Sequence, residues 1–287
     1  MGAMTLRVAT WNLWWRFGPH EQRHHAIVDT LRSVDADVLC LQEVWSTDGE
    51  PGEGGGARGI RGDDQAMILG ELLGMTVTRT APIFFDGHAF GNAVLSRWPA
   101  DLVADDRLPG PDGAPGHRRV VAARVHTPWG PWPVASTHLD HRFDASATRQ
   151  LQAAALLEST LRWRGDPESD LPVVIGGDFN AVPDSDEIRL LTGRRAGIGG
   201  VVMTDAWEVA GNGPGVTWGG GNPYVADSTW PERRLDYLLV SWPRPKPVGN
   251  PVRVRLAGDG PVDVDGVAVW PSDHAAVVAD LVTPDRE

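Results

Sequence analysis

The sequence predicts a layered α/β fold built around one continuous core. Strand-like and helix-like patterns alternate from the N-terminus, and apolar strand patterns recur as far as residue 282. No change in composition marks a second domain. The apolar fraction of 41% and the charged fraction of 22% are typical of a globular protein with a large core. We therefore expect one domain spanning residues 5–282.

The first three elements form a strand–helix–strand unit. Residues 5–13, "TLRVATWNL", alternate apolar and polar side chains, which predicts a strand with one buried face. Residues 20–34 carry apolar side chains at steps of four and three, which predicts an amphipathic helix. Residues 36–44, "ADVLCLQEV", are apolar enough for a buried strand. This succession is typical of layered α/β proteins.

The middle of the chain combines a long loop with further helix and strand patterns. Residues 46–63 are rich in glycine and charge and predict a flexible surface loop. A helix is expected near residues 64–74, followed by strands near residues 75–85 and 91–98. Residues 117–141 predict a hairpin, because two strand-like runs flank a turn rich in proline and glycine.

The second half begins with the longest helical pattern, at residues 146–163, which leads into a buried strand at residues 171–180. Beyond Gly211 the chain is rich in loops, and the apolar runs that interrupt them are short. The expected short strands lie near residues 234–241, 252–258 and 274–282.

The charge balance limits the kinds of partner. The chain has 26 basic and 38 acidic residues, for a net charge of −12. This excess argues against a protein that coats nucleic acid, which needs a basic surface. It does not exclude a nuclease, because metal ions and a local basic strip can offset carboxylates around one phosphate. The only cysteine, Cys40, lies in an apolar stretch and is expected to be a buried structural thiol.

The sequence also predicts where the protein resides. The N-terminus lacks a basic segment followed by an apolar signal core. No run approaches the ~20 apolar residues of a membrane span. We therefore expect a cytoplasmic protein with no membrane span, and no feature of the sequence indicates an obligate protein partner.

Polar side chains recur at the ends of the predicted strands. Each follows an apolar strand, except Asp236, which begins one. One such residue is commonly structural, but six sites with the same layout predict a shared functional site at one end of a sheet. Because side chains alternate along a strand, Asp178 and Asn180 are expected to point to the same side. The sites are Asn12, Glu43, His138, Asp178 with Asn180, Asp236, and Asp273 with His274.

In this order the segments resemble the endonuclease/exonuclease/phosphatase superfamily, which has the deoxyribonuclease I-like fold. The resemblance spans about residues 5–282. It implies a four-layer α/β (α+β) sandwich, in which two mostly antiparallel β-sheets pack face to face with helices on the outer faces. It also implies a divalent-metal active site at one end of the sheets. The segments that carry it are "TWN", "LQEV", "STHL", "GDFNAVPDS", "RRLDYLLV" and "SDH".

The available side chains suit a hard metal ion. Mg²⁺ and Mn²⁺ prefer oxygen ligands and commonly take one or two protein carboxylates. Glu43 is the first choice of ligand, with Asn12 and Asp273 beside it. A single cysteine excludes a thiolate site, and no zinc-type histidine helix is present. The expected cofactor is therefore Mg²⁺ or Mn²⁺.

The resemblance also implies roles for individual residues. Asp178 would hold or deprotonate the attacking water, while Asn180 would contact a phosphate oxygen or a metal-bound water. His138 would donate a hydrogen bond to a phosphate oxygen. His274 would be oriented by Asp236, a pairing that favours a charged ring. Whether Asp178 or His274 is the general base, and whether one metal or two is used, stays open at this point.

Four further residues are candidates for substrate binding. Arg97 and the pair Arg118 and Arg119 are placed to attract a phosphate-bearing substrate, although solvated surface charge is the competing interpretation. Asn92, in "FGNAVLSRW", is a candidate for lining the site, with packing at a strand edge as the alternative.

Departures from the branches of the superfamily narrow the substrate. His138 stands where apurinic/apyrimidinic endonucleases carry a tyrosine motif, and Phe179 stands where tyrosyl-DNA phosphodiesterases carry threonine. "GDFNAV" and "RRLDYLL" differ from the inositol-polyphosphate 5-phosphatases. We expect a phosphodiesterase or nuclease that acts on nucleic acid or nucleotides. A sphingomyelinase-like or other lipid-headgroup phosphodiesterase or phosphatase is the alternative, since Trp-rich loops could stack bases or meet headgroups. A catalytically silent binding protein is a remote alternative, because every polar site is filled.

Overall fold

Two β-sheets lie face to face, and helices cover the outer face of each. The computed structural model describes residues 4–47, 64–85 and 88–285. The helices are α1 (His20–Val34), α2 (Gln65–Leu73), α3 (Ser146–Trp163), α4 (Asp186–Leu191) and α5 (Ala206–Ala210). The strands are β1 (Thr5–Asn12), β2 (Val38–Thr47), β3 (Thr76–Arg79), β4 (Ile83–Phe85), β5 (His88–Ser96), β6 (Ala100–Pro109), β7 (Pro115–Thr127), β8 (Gly130–His138), β9 (Val174–Asp178), β10 (Val202–Asp205), β11 (Asp236–Trp242), β12 (Pro251–Ala257), β13 (Val262–Val264), β14 (Val267–Val269) and β15 (Ala276–Val282).

The two sheets have matching arrangements. The first sheet runs β12-β15-β1-β2-β5-β3, with β4 also paired to β5, and the second runs β10-β11-β9-β8-β7-β6. Each contains one parallel pair, β1–β2 in the first and β8–β9 in the second, and the other pairs among the described strands are antiparallel. Helices α1 and α3 connect the parallel pairs. The predicted four-layer sandwich is confirmed.

Side-chain alternation along the strands produces three apolar layers. In β1, Val8 packs between the two sheets while Ala9 packs against the layer that contains α1. In β9, Val174 packs between the sheets while Ile175 packs against the layer that contains α3. Both sheets are thus apolar on both faces, as expected for sheets covered on both sides. The side chains that project inward near the strand ends therefore come from both sheets and face one another.

The sheets approach each other very closely just below the end of β9. A Cβ placed on Gly176 would lie 2.6 Å from the Cβ of Cys40 and 2.9 Å from its Sγ. A Cβ on Gly177 would lie 2.5 Å from the carbonyl oxygen of Thr137. Burial raises the pKa of the Cys40 thiol to about 12, which agrees with a structural thiol. The two glycines that precede Asp178 therefore permit the contact between β9 and its neighbours.

A polar layer joins the sheets at the same depth. The Gln42 amide donates hydrogen bonds to the Thr10 hydroxyl over 3.2 Å and to the Ser136 hydroxyl over 3.0 Å. The Ser136 hydroxyl in turn donates to the carbonyl of Leu41 over 2.9 Å. All of these side chains are buried. This network fixes β1, β2 and β8 relative to one another one or two residues before Asn12, Glu43 and His138.

The structure differs from the sequence-based expectations in the loops and in several short elements. Most of the expected loop at residues 46–63 lies outside the described residues, and its first two residues belong to β2. Strands β6, β10, β13 and β14 and the short helices α4 and α5 were missed. No helix within residues 4–47, 64–85 and 88–285 is both long and apolar enough to cross a membrane.

The contact at Gly176 generates the first prediction. Gly176→Ala places a methyl group against Cys40 and Thr10, so we expect the free energy of unfolding to fall by about 1–3 kcal/mol, as for an overpacked core. Urea unfolding followed by circular dichroism measures it. Gly220→Ala is the control, because nothing lies within 4 Å of its added methyl; we expect a change within about 0.5 kcal/mol. Equal stabilities for the two variants would contradict the close sheet contact.

Candidate active site

Strand direction brings the predicted polar residues to one end of the molecule. Asn12, His138 and Asp178 are the last residues of β1, β8 and β9. His138 lies directly beside Asp178 in the parallel register. Asp236 begins β11, which is antiparallel to β9, and it pairs opposite Asp178. An antiparallel neighbour begins where its partner ends, so Asp236 reaches the same place although it opens its strand.

The segment that carries Asp273 and His274 is fastened to β1. The Ser272 hydroxyl donates a hydrogen bond to the carbonyl of Asn12 over 2.7 Å and accepts one from the His274 amide over 3.2 Å. The Trp11 indole N–H donates to the His274 carbonyl over 2.9 Å. These bonds fix the backbone of His274 immediately before β15 begins.

A β-bulge directs Glu43 into the site. The register between β2 and β5 shifts between Leu41 and Val44, and Glu43 has a left-handed φ of 54°. Gln42 already faces the other sheet, so regular alternation would turn Glu43 toward the helices. The bulge re-aims the side chain, and Glu43 accepts a hydrogen bond from the Asn12 amide over 3.2 Å.

The Asp178 carboxylate lies at the centre of the site. Its Oδ2 accepts a hydrogen bond from the Asn12 amide over 3.0 Å and lies 3.4 Å from His138 Nε2 and 3.8 Å from His274 Nε2. Its Oδ1 accepts from the Asn180 backbone N–H over 2.9 Å. Burial alone would raise the pKa of Asp178, but the charged His274 ring and the hydrogen bonds from Asn12 and Asn180 outweigh burial and lower it.

Asp236 and His274 form a buried carboxylate–imidazole pair. His274 Nδ1 lies 2.8 Å from Asp236 Oδ2. Burial opposes a charged ring, but Asp236, Asp273 and Asp178 together outweigh it and raise the pKa of His274 well above its usual range. Burial raises the pKa of Asp236 to about 6, although the His274 charge opposes that rise. The geometry therefore favours an imidazolium at His274.

His138 has the opposite protonation. Burial and the nearby Arg118 charge lower its pKa well below the usual range, so the ring is neutral. The Asn180 amide lies 2.9 Å from His138 Nε2 and 3.2 Å from the Leu139 carbonyl. If the amide donates to Nε2, the ring proton lies on Nδ1, which is 3.8 Å from Glu43 Oε1. Asn180 lies beyond the end of β9 and has a left-handed φ of 50°.

The arrangement of Asn12 differs from the expected metal ligand. Its amide oxygen accepts a hydrogen bond from the Trp14 backbone N–H over 2.9 Å, while its NH₂ group donates to Glu43 and Asp178. Trp14 can reach this oxygen because its backbone turns through a left-handed φ of 57°. Asn12 thus donates hydrogen bonds to the carboxylates, and the carboxylate oxygens of Glu43 and Asp273 are the candidates for metal ligation.

The remaining carboxylates fit a hard divalent cation. Burial raises the pKa of Glu43, and the Asp178 charge raises it further. Burial and the charges of Glu43 and Asp178 raise the pKa of Asp273 to about 6. A divalent cation would offset this crowding of negative charge. A second possible group is formed by ligand atoms of Asp178, Asp236 and His274, which lie within 4.8 Å of one another. The carboxylate oxygens of Glu43 and Asp273 suit Mg²⁺ or Mn²⁺, whereas a charged imidazole at His274 does not ligate a cation.

Of the two neighbouring arginines on β7, the structure brings only Arg118 to the site. Its guanidinium lies 3.1 Å from His141 Nδ1 and interacts electrostatically with Glu43 and Asp178. Arg119 instead pairs with Asp105 over 2.7 Å. The difference follows from strand alternation, which sends adjacent side chains to opposite faces.

Asn92 lies on β5 opposite the bulge that contains Glu43, whereas Arg97 follows the other end of that strand. Asn92 is buried, and its amide donates to the backbone carbonyl of Arg119 over 2.8 Å, so it links the two sheets. Arg97 follows the end of β5, beside the beginning of β2, and pairs with Asp35 and Asp37. It therefore lies at the opposite end of the first sheet from Glu43, and its expected role in substrate binding is not supported.

Sequence reasoning missed Arg23, which organises two loops of the site. Its fully buried guanidinium donates hydrogen bonds to five backbone carbonyls over 2.9–3.1 Å, and burial lowers its pKa to about 10. One signal was available, because Arg23 lies one helical turn before Ile27 on the apolar face of α1. It ties the segment after Asn12 to the segment before Asp273. The carbonyls belong to Leu13, Trp14, Trp15, Phe17 and Pro271.

The Asp236–His274 pair generates the second prediction. In Asp236→Asn the charged ring loses its bonded carboxylate while its burial remains, so we expect the pKa of His274 to fall. NMR titration of the His274 ring protons measures it. Asp280→Asn removes one negative charge where Asp280 pairs with Arg7, away from this site, and serves as the control. An unchanged His274 pKa in Asp236→Asn would show that Asp236 does not stabilise the imidazolium.

Comparison with known proteins identifies the family of the chain. The model of the Endonuclease/Exonuclease/phosphatase family matches residues 9–274. Protein angel of Drosophila melanogaster is 26% identical over 231 residues, which are 78% of this chain and 61% of the fly protein. The chain thus spans less than two thirds of that relative's length.

Solved structures share the fold. Truncated TDP2 of Caenorhabditis elegans superposes with a TM-score of 0.68 at 20% identity, covering 97% of this chain and 98% of that chain. TDP2 of D. rerio, complexed with single strand DNA product, has a TM-score of 0.68 at 19% identity and covers 97% and 99%. At this identity the likeness shows the fold alone. Because the family model matches nearly the whole chain, the chain belongs to the endonuclease/exonuclease/phosphatase family.

Proposed function

We propose that the protein is a divalent-metal-dependent phosphodiesterase that hydrolyses nucleic-acid or nucleotide phosphodiesters by in-line attack of water. One observation carries the proposal: the ionised Asp178 carboxylate contacts Asn12 and lies beside both His138 and His274. A carboxylate held between hydrogen-bond donors and imidazoles can orient a water molecule for attack on a phosphate.

The pKa values of Asp178 and His274 are shifted in opposite directions, which favours different roles for the two residues. Asp178 has a lowered pKa, so its carboxylate stays ionised and offers a lone pair to the attacking water. His274 has a raised pKa and carries a positive charge, which suits it to stabilise the charge that develops on the phosphate oxygens. Asp236 would hold the ring by its Nδ1. We therefore assign Asp178 as the general base and His274 as the electrostatic stabiliser.

Three further side chains would position the phosphate. His138 and Asn180 contact each other beside Asp178, and with the ring proton on Nδ1 it is the Asn180 NH₂ group, not His138 Nε2, that would donate to the phosphate. Arg118 adds the positive charge that the acidic site otherwise lacks on this side. A guanidinium matches the geometry of a phosphate and holds it with paired hydrogen bonds.

Glu43 and Asp273 would hold the Mg²⁺ or Mn²⁺ ion, with Asn12 orienting the Glu43 carboxylate through its amide. When bound, the ion supplies positive charge that offsets the negative charge of the phosphate oxygens. The raised pKa values of Glu43 and Asp273 support this assignment, because crowded carboxylates gain from a shared cation.

The choice of nucleic acid or nucleotide as substrate rests on the family and on charge. The family description names endonucleases, exonucleases and phosphatases, and the D. rerio neighbour holds a single strand DNA product. A net charge of −12 disfavours broad contact with a duplex. The alternative is a lipid-headgroup phosphodiesterase or a phosphatase, which the same metal chemistry would serve.

The proposed base generates the third prediction. We expect purified enzyme with Mn²⁺ or Mg²⁺ to hydrolyse single-stranded DNA or RNA, and EDTA to abolish this activity. Asp178→Asn should lower kcat by about 10²–10⁴-fold, the usual contribution of a positioned acid–base group. Asp184→Asn, which changes an exposed carboxylate in the following loop, is the matched control.

Parallel assays with sphingomyelin and with a phosphomonoester separate the alternatives. Hydrolysis of sphingomyelin without hydrolysis of nucleic acid would replace the nuclease proposal by the lipid alternative. Cleavage of the monoester alone would indicate a phosphatase, and near-normal turnover by Asp178→Asn would remove the proposed base.

The proposed metal site generates the fourth prediction, which does not depend on turnover. A ligand at a hundred times its Kd stabilises a protein by about 2.7 kcal/mol, so saturating Mn²⁺ should raise the Tm by about 5 °C. Glu43→Gln should lose most of this rise, whereas Glu158→Gln, on the exposed side of α3, should keep it. Differential scanning calorimetry gives the Tm. An equal rise in Glu43→Gln would place the metal elsewhere.

A further inference from the structure

An exposed aromatic stack lies outside the site described above. The rings of Phe143 and Trp230 are nearly parallel, at 16°, with centroids 4.1 Å apart. The guanidinium carbon of Arg233 lies 5.0 Å from the Phe143 centroid and 4.5 Å from the Trp230 centroid. The two aromatic residues remain 55% and 46% exposed although each covers a face of the other. We call these three residues the aromatic platform.

The platform is close to the catalytic residues along two separate segments. Phe143 follows His138 by five residues, and Arg233 precedes Asp236 by three. An extended chain advances at most about 3.6 Å per residue, so Arg233 lies within about 11 Å of Asp236 and Phe143 within about 18 Å of His138. Both segments leave the same end of the second sheet. The platform therefore lies at the same end of the second sheet as the active site, no more than about 18 Å from His138 and about 11 Å from Asp236.

The chemistry of the platform suits a planar ligand that carries negative charge. Exposed aromatic rings stack on nucleobases, and this stacking tolerates any base because every base has a π-face. The guanidinium beside the rings attracts a phosphate. The same positive charge repels the quaternary ammonium of a choline headgroup, which would otherwise bind between aromatic rings. Charge thus favours a nucleotide over a choline lipid.

We propose that the aromatic platform binds a nucleobase of a single-stranded nucleic-acid substrate next to the phosphodiester that is cleaved. This inference rests on the proposed function and specifies its substrate class. A single strand is required because a base within a duplex is already stacked on both faces by its neighbours. Arg233 would contact the phosphate that follows the stacked base, while Phe143 and Trp230 would supply the stacking surface.

The test measures binding separately from catalysis. In the Asp178→Asn background, fluorescence anisotropy follows a labelled single-stranded hexanucleotide in the presence of Mn²⁺. Trp230→Leu and Phe143→Leu remove a π-face but keep an apolar side chain, so we expect binding to weaken about tenfold. Trp230→Phe should restore most of the affinity. The control is Trp242→Leu, because Trp242 is also an exposed tryptophan with Arg244 and Lys246 near its ring, but it ends β11 far from Asp236.

A substrate with one abasic position identifies the contact itself. The parent should bind one such hexanucleotide about tenfold more weakly than the intact one, and Trp230→Leu should bind both equally. Binding within twofold of the parent for both leucine variants overturns the platform, whereas the proposed function stands if the wild-type enzyme still cleaves the hexanucleotide. Absence of cleavage by the wild-type enzyme instead overturns the proposed function. If the leucine variants lose affinity for sphingomyelin vesicles but bind the hexanucleotide like the parent, the platform binds a lipid and the nucleobase proposal is overturned.

Discussion

The contact between the Asn12 amide and the Asp178 carboxylate joins the two β-sheets where their parallel pairs end. It is possible only because Gly176 lets β9 approach β2 at the level of Cys40. The meeting of groups from the two sheets within one site depends on this approach. Glu43 and Asp273 come from the first sheet and its border, whereas His138 and Asp236 come from the second. If the sheets stood further apart, no single substrate could contact both groups.

The charge distribution within this junction separates two histidines that look alike in the sequence. His274 lies among three carboxylates and is held charged, whereas His138 lies beside Arg118 and is held neutral. Burial disfavours the charged form of both rings, so the neighbouring charges decide between them. The same junction keeps Asp178 ionised between the two rings. An acidic site can thus contain both a proton acceptor and a positive charge for the developing phosphate.

The strand and helix patterns predicted a layered α/β protein, and the resemblance carried by the order of the motifs implied the four-layer sandwich with a site at one end of its sheets. Alternation along each strand, together with the order of the motifs, was sufficient to place Asn12, His138 and Asp178 on strand ends. Strand β6 was missed because this edge strand is largely polar and lacks clear alternation. Contacts that depend on register were also beyond the sequence. Arg97 lies at the end of the first sheet opposite to Glu43, because β5 runs antiparallel to β2.

Two further features of the site depend on backbone turns that no pattern in the sequence predicts. The bulge at Glu43 turns a side chain that regular alternation would direct to the helices. The left-handed turn at Trp14 lets its backbone N–H donate to the amide oxygen of Asn12. Asn12 therefore presents its NH₂ group to the carboxylates. Arg23 stabilises the second of these turns by binding the carbonyls around it. Such corrections concern roles within the site, and they leave its position unchanged.

The most direct measurement is an anomalous difference map from crystals soaked in Mn²⁺. We expect one strong peak about 2.0–2.2 Å from a carboxylate oxygen of Glu43, facing Asp273 and on the same side as Asp178. A peak bound instead within Asp178, Asp236 and His274, or no peak at the junction of the two sheets, would contradict it.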